Sequence, residues 1–126
     1  MILLDTHLLV WLYGGLLDRI PAPVQARLNR EQLALSPFVQ LELGYLYEVG
    51  RVRAPAQRVV DELTARLELV VADVSAATVC GAALDLTWTR DPFDRLLAAH
   101  ATATGLALVT KDATLRQHLA LAWWAD

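Results

Sequence analysis

ILLDTHLLVWLYGG, residues 2–15, changes character at its fourth residue. ILLD is an apolar run too short for a helix, and it halts at a carboxylate, Asp5; it reads as a buried strand. THLLVWLYGG then reads as a helix, with Thr6 near its start and Gly14-Gly15 as its stop. A buried strand running straight into a helix is the first half of a βαβ unit.

Working outward, the same alternation recurs. DRIPAPVQARLNRE (18–31) carries a helix entered at Pro21 or Pro23, and QLALS (32–36) reads as a second short strand. PFVQLELGYLYEVG (37–50) is a helix opened by Ser36-Pro37 and closed by Gly50; PAQRVVDELTARLE (55–68) is another, with Pro55 near its first turn. LVVA (69–72) is a third strand, SAATVCGAALDLTW (75–88) a helix, and DPFDRLLAAHATATG (91–105) a helix ending at Gly105. LALVT (106–110) is a fourth strand, KDATLRQHL (111–119) a short helix, and ALAWWA (120–125) a final edge strand. Short apolar strands alternating with helices predict one α/β domain over residues 1–126 with a mostly parallel sheet. In such sheets ligands bind beyond the carboxyl ends of the strands.

Composition narrows the class. The chain is 56% hydrophobic with a mean hydropathy of +0.37, yet no apolar run approaches the roughly 18 residues that span a bilayer. No basic residue precedes the first apolar stretch, which contains Asp5 and His7, so it does not read as a signal peptide. A chain this apolar without a span is expected to bury surface against a partner or a copy of itself. Cys80 is the single cysteine, which excludes a disulfide framework within the chain, fits a reducing cytoplasm, and reads as a small buried hydrophobe. Net charge is −3, unlike a typical nucleic-acid binder. If four acids belong to a metal site, however, ten remain against eleven bases, so the balance does not exclude a phosphate substrate. Ten of those bases are Arg, suited to bidentate phosphate contacts.

The acids fall where this topology would gather them. Asp5 ends the first strand, Asp112 follows the fourth, and Asp94 opens the helix leading into the fourth. Each also suits helix capping: Asp91 before Pro92 reads as an N-cap, and Asp94 meets the positive end of the same helix dipole, caps it, and is free to coordinate. Glu42 is harder to explain by capping. Its neighbours one turn away are Phe38, Val39, Tyr45 and Leu46, with no Lys or Arg among them. A carboxylate on that face points inward, where it needs a distant salt bridge, a hydrogen bond or a metal. Carboxylates converging without thiolates suit a hard cation, Mg²⁺ or Mn²⁺. One or two such ions would activate water and steady the leaving oxygen of a phosphodiester.

The segments MILLDTHLLVWL, SPFVQLELGYLYEVGRV, RDPFDRLLAAHA and LALVTKDATL, in this order and spacing, resemble the PIN-domain ribonucleases, and among them the VapC-like toxins of toxin–antitoxin pairs. The resemblance runs from Met1 to about Leu115. It implies a three-layer α/β/α sandwich with an acidic, Mg²⁺-dependent cleft, RNA as substrate, a homodimer, and a small antitoxin that folds over the cleft. It carries the family acids onto Asp5, Glu42, Asp94 and Asp112 as catalytic metal ligands, with Asp91 in a second tier. Thr6 and Thr110 match small hydroxyl positions that orient water or phosphate. The chain departs from close relatives at Thr89, where they often carry His, and at His100, where they often carry Gln.

Other residues are given structural roles. His7 is assigned to packing or support behind the acids, His100 to a satisfied helix position, and His118 to solvent. Trp11, Tyr13, Trp88, Trp123 and Trp124 are assigned to the core, although Trp11, Leu12, Tyr13, Tyr45 and Tyr47 also suit a partner groove. Arg90, Arg95, Lys111 and Arg116 either hold phosphates or pair with the acids. The expected function is a cytoplasmic endoribonuclease toxin that contacts no membrane. Its rivals are an RNA-processing PIN nuclease without antitoxin, a receiver-like signalling module with Asp73 as phosphate acceptor, and an inactive scaffold.

Overall fold

The computed structural model describes residues 1–125, so the last residue of the domain expected over 1–126 lies outside the described residues. The first strand, β1 (Ile2–Leu4), is buried along its length and lies at the centre of the sheet. It pairs in parallel with β2 (Leu33–Leu35), Ile2 opposite Leu33, and with β4 (Ala107–Val109), Leu4 opposite Val109. The edges are β3 (Val70–Val71) beside β2 and β5 (Ala122–Trp123) beside β4, giving the order β3-β2-β1-β4-β5. Every pairing is parallel, a stronger result than the mostly parallel sheet expected. Strands such as β1 and β2, buried on both faces, require helices on both sides, which is the three-layer arrangement.

The connecting helices are α1 (Thr6–Tyr13), α2 (Ala22–Arg30), α3 (Pro37–Glu48), α4 (Ala56–Leu67), α5 (Ala76–Ala83), α6 (Pro92–Thr104) and α7 (Ala113–His118), with a single 3₁₀ turn at Leu17–Arg19. Pro21 precedes α2, Ser36 caps α3 by accepting from the Phe38 N–H, and Gly105 closes α6 at φ 70°. The core joins Leu3, Leu4, Leu8, Leu35, Leu43, Leu63, Leu97 and Leu108. Truncating one of these, Leu3 for example, should cost about 2–5 kcal/mol.

Two expectations fail locally. The helix expected over 75–88 stops at Ala83, because α5 has only Val79 and Ala83 fully buried; Leu84 is 74% exposed, and the chain turns there. On the same short helix Cys80 faces solvent, not the core. No helix among the described residues is long and apolar enough to cross a membrane.

The strand order has a direct consequence. From β1 the chain winds outward through β2 to β3, then returns to β4 on the other side of β1 and continues to β5. The order therefore reverses between β1 and β4, and a crevice opens beyond their carboxyl ends. Asp5 follows β1, and Thr110 and Asp112 follow β4, so both arms of that crevice carry acids.

Candidate active site

Asp5 occupies the N-cap position of α1 but makes no capping bond with its side chain. Its Oδ2 accepts from the buried hydroxyl of Thr110 at 2.5 Å, and that hydroxyl in turn accepts from the Asp112 N–H at 3.0 Å. The turn after β4 thus holds the carboxylate after β1 across 105 residues of sequence. Thr6, also buried, donates to Glu42 Oε1 at 2.5 Å and fixes the acid of α3 against the first turn of α1. Both threonine hydroxyls are therefore directed at carboxylates.

At the start of α6 the capping is done by Asp91 alone. Its Oδ1 accepts from the Phe93 and Asp94 N–H groups at 2.9 and 3.0 Å. Asp94 does not cap, contrary to expectation; it receives the cap at its backbone and its half-buried side chain is left to face the crevice. Asp112 caps α7 by accepting from the Leu115 N–H at 2.8 Å and remains exposed.

Asp5, Glu42, Asp91, Asp94 and Asp112 all line one cleft of about 250 Å³, together with His7, Tyr45, Phe93 and Arg51. Among the described residues no Lys or Arg forms an ion pair with Asp5, Glu42 or Asp94. Burial first, and then the crowding of like charges, disfavours ionisation of these acids. Burial raises the carboxyl pKa of Asp5, against the pull of the Thr110 hydrogen bond. Burial, then the charges of Asp5 and Asp91, raises Glu42. Burial, followed by Asp91, Asp112, Asp5 and Glu42, pushes Asp94 up to about 7.

Among the described residues no three or more His, Cys, Asp or Glu groups form a ready-made cage for one ion. The donor set nevertheless fits Mg²⁺, which typically takes one or two carboxylates and keeps several of its waters. All the candidate ligands are oxygens, and among the described residues none of Asp5, Glu42 and Asp94 is ion-paired to Lys or Arg.

Arg51 was not singled out from sequence. It sits just past the end of α3, where Gly50 adopts φ 78° and the Arg51 N–H donates to the Leu46 carbonyl at 2.8 Å. Its exposed guanidinium borders the acid cleft with no ion-pair or hydrogen-bond partner among the described residues. Arg95 donates to the Ala83 and Leu84 carbonyls and ties α6 to the end of α5. Arg116 donates to the Lys111 carbonyl, and the Lys111 ammonium lies 5.9 Å from the Trp11 ring centre.

Two of the three histidines depart from their assigned roles. His7 is exposed on the cleft wall instead of packed behind it. His118 is exposed but stacks on Trp88 at 4.9 Å with planes 8° apart. His100 is buried; its Nδ1 lies 2.7 Å from Ser36 Oγ, its Nε2 has no hydrogen-bond partner among the described residues, and burial lowers its pKa.

A family model described as the PIN domain matches residues 2–118. Ribonuclease VapC22 of Mycobacterium tuberculosis is 32% identical over 119 residues, which is 93% of this chain and 91% of that protein. Two solved structures share the fold. The VapBC2 complex of Rickettsia felis bound to a DNA fragment from their promoter has a TM-score of 0.72 at 23% identity, covering 99% of this chain and all of the other. The DNA-bound VapBC of Salmonella typhimurium has a TM-score of 0.64 at 24% identity, covering 94% and 93%.

Proposed function

The chain belongs to the PIN-domain family, and from that premise we propose that it is a divalent-metal-dependent endoribonuclease, the toxin of a toxin–antitoxin pair. The observation that carries this reading is the convergence of Asp5, Glu42, Asp94 and Asp112 on one cleft with no basic residue neutralising the inner three. A purely structural role would have paired these carboxylates, because a buried unpaired charge is costly. The relatedness to a protein named a ribonuclease supports the same chemistry.

Asp5, Glu42, Asp94 and Asp112 would hold Mg²⁺ or Mn²⁺, with Asp91 close enough to contribute. Held there, such an ion would supply charge for the phosphate oxygens and would lower the pKa of a water for attack on phosphorus. The chain's own residues prepare the site for it. Thr110 and Thr6 fix the Asp5 and Glu42 carboxylates by donating to one oxygen of each, and both residues line the cleft. The Arg51 guanidinium supplies a positive group on an otherwise acidic wall and is placed to hold a phosphodiester oxygen. The relationship to proteins crystallised as VapBC complexes supports a small antitoxin as partner, and the exposed Tyr45 and Tyr47 suit a protein interface that includes a second copy of the chain. We place this activity in the cytoplasm.

Purified protein incubated with single-stranded RNA and millimolar Mg²⁺ should cleave it; chelation, Asp5→Asn or Asp94→Asn should abolish cleavage. Undiminished cleavage by both variants would remove the acid cluster from the mechanism. Co-expression of the small reading frame next to this gene should restore growth arrested by the chain alone.

A further inference from the structure

Beside the acid cleft lies a second hollow, of about 320 Å³, whose lining is mainly apolar. It shares Asp5, His7 and Asp112 with the cleft, and its remaining walls include Trp11, Trp124 and Lys111. Trp11 comes from α1 and Trp124 from just past β5, and their rings meet edge to face at 6.3 Å and 66°. Trp124 is buried, while Trp11 is only half-buried and contributes aromatic surface to the hollow. The Lys111 ammonium stands 5.9 Å from the Trp11 ring centre. Trp11 thus presents indole surface directly beside carboxylates of the cleft.

We propose that this hollow receives the nucleobase of the nucleotide next to the scissile phosphate; the proposal rests on the ribonuclease reading above. Three shared walls mean that an occupant of the hollow lies against the acids, where the flanking nucleotide of a bound strand must lie. The volume is at the small end of ligand pockets, about 300–1,000 Å³, and suits one ring system better than a peptide segment. Every base has a π-face, so an indole platform holds it with little regard to sequence. Lys111 adds a positive charge that complements the adjoining phosphate.

The test uses an RNA whose cleavage position has been mapped, and versions carrying one abasic residue on either side of that bond. For the wild type, one of the two abasic substrates should lose about tenfold in kcat/KM. Trp11→Leu should be impaired on intact RNA by a similar factor and lose nothing more on the abasic one. Trp11→Phe should keep its sensitivity to the missing base, and Lys111→Gln should raise KM with kcat preserved. Should Trp11→Leu not fold, the wild-type and Trp11→Phe comparison decides alone. A wild type indifferent to both abasic positions would overturn the proposal while leaving the ribonuclease reading intact; a wild type that cleaves no RNA with Mg²⁺ overturns both. Indifference to the base, joined to loss of antitoxin inhibition in Trp11→Leu, would assign the hollow to protein instead and overturn it as well.

Discussion

The hydroxyl of Thr110 donates to Asp5 Oδ2 at 2.5 Å, joining the ends of the two parallel strands between which the strand order reverses. That bond favours the ionised form of a buried carboxylate whose burial works the other way. Thr110→Val keeps the shape and removes the donor. Leaving a buried acceptor short of a partner should cost about 1–3 kcal/mol of stability, raise the Asp5 pKa further, and weaken Mg²⁺ binding. Thr110→Ser should restore all three. Urea denaturation and Mg²⁺ titration check the pair; a Val variant equal to wild type in both would show the bond to be incidental.

Asp94 makes the metal-free protein sensitive to pH. Its carboxyl pKa rises from 3.8 to about 7 on folding, so between these values the folded state binds the proton more tightly than the unfolded state. Stability from this group is therefore greatest at low pH, falls as pH rises through that window, and is level above about 7. In chelator, wild type should be more stable at pH 5 than at pH 8, and Asp94→Asn should flatten the slope. Metal binding, which requires the carboxylate, should strengthen over the same interval. Equal slopes for wild type and Asp94→Asn in chelator would contradict this assignment.

Asp91 combines a cap with a charge, and two substitutions separate them. Asp91→Ala loses the bonds to the Phe93 and Asp94 N–H groups and should cost about 1 kcal/mol. Asp91→Asn retains a capping oxygen and should keep wild-type stability while lowering the Asp94 pKa, because one repelling neighbour is gone. Thermal melting together with carboxyl NMR titration reads both effects. Equal destabilisation by the two variants would deny the cap.

Arg51 should act on substrate rather than on metal. Arg51→Ala is expected to raise KM for RNA, leave kcat and the Mg²⁺-induced melting shift in place, and reduce the salt dependence of binding by about one phosphate contact. A fall in kcat at unchanged KM would instead place the guanidinium in the chemical step.

Much of this was legible because strand ends and acids coincide in sequence. ILLD and LVTKD each show a short apolar run meeting a carboxylate, and Glu42 betrayed itself by lacking a basic neighbour one turn away. The topology then brought these positions to one crevice, an outcome local spacing implies only once the sheet order is known. Arg51 was illegible for the opposite reason: after Gly50 it looks like any loop cation, and only the folding-back of the chain onto the Leu46 carbonyl points it at the acids. The shorter α5 and the exposed Cys80 share one cause, since composition alone suggests burial all round for a helix of which only one face, carrying Val79 and Ala83, is buried. Asp91 and Asp94 were both read as caps, yet one carboxylate suffices for the two N–H groups.

The central claim is that the cleft lined by Asp5, Glu42, Asp94 and Asp112 binds a divalent cation, through its carboxylates directly or through the ion's waters, and the melting temperature as a function of Mg²⁺ or Mn²⁺ tests it most directly. A ligand at about one hundred times its Kd stabilises the native state by about 2.7 kcal/mol, which a melting curve resolves. The wild type should shift upward with millimolar metal, while Asp5→Asn, Glu42→Gln, Asp94→Asn and Asp112→Asn should each show a reduced shift or none, despite folding at least as stably without metal. A wild type that does not shift, or four variants that shift as it does, would contradict the claim.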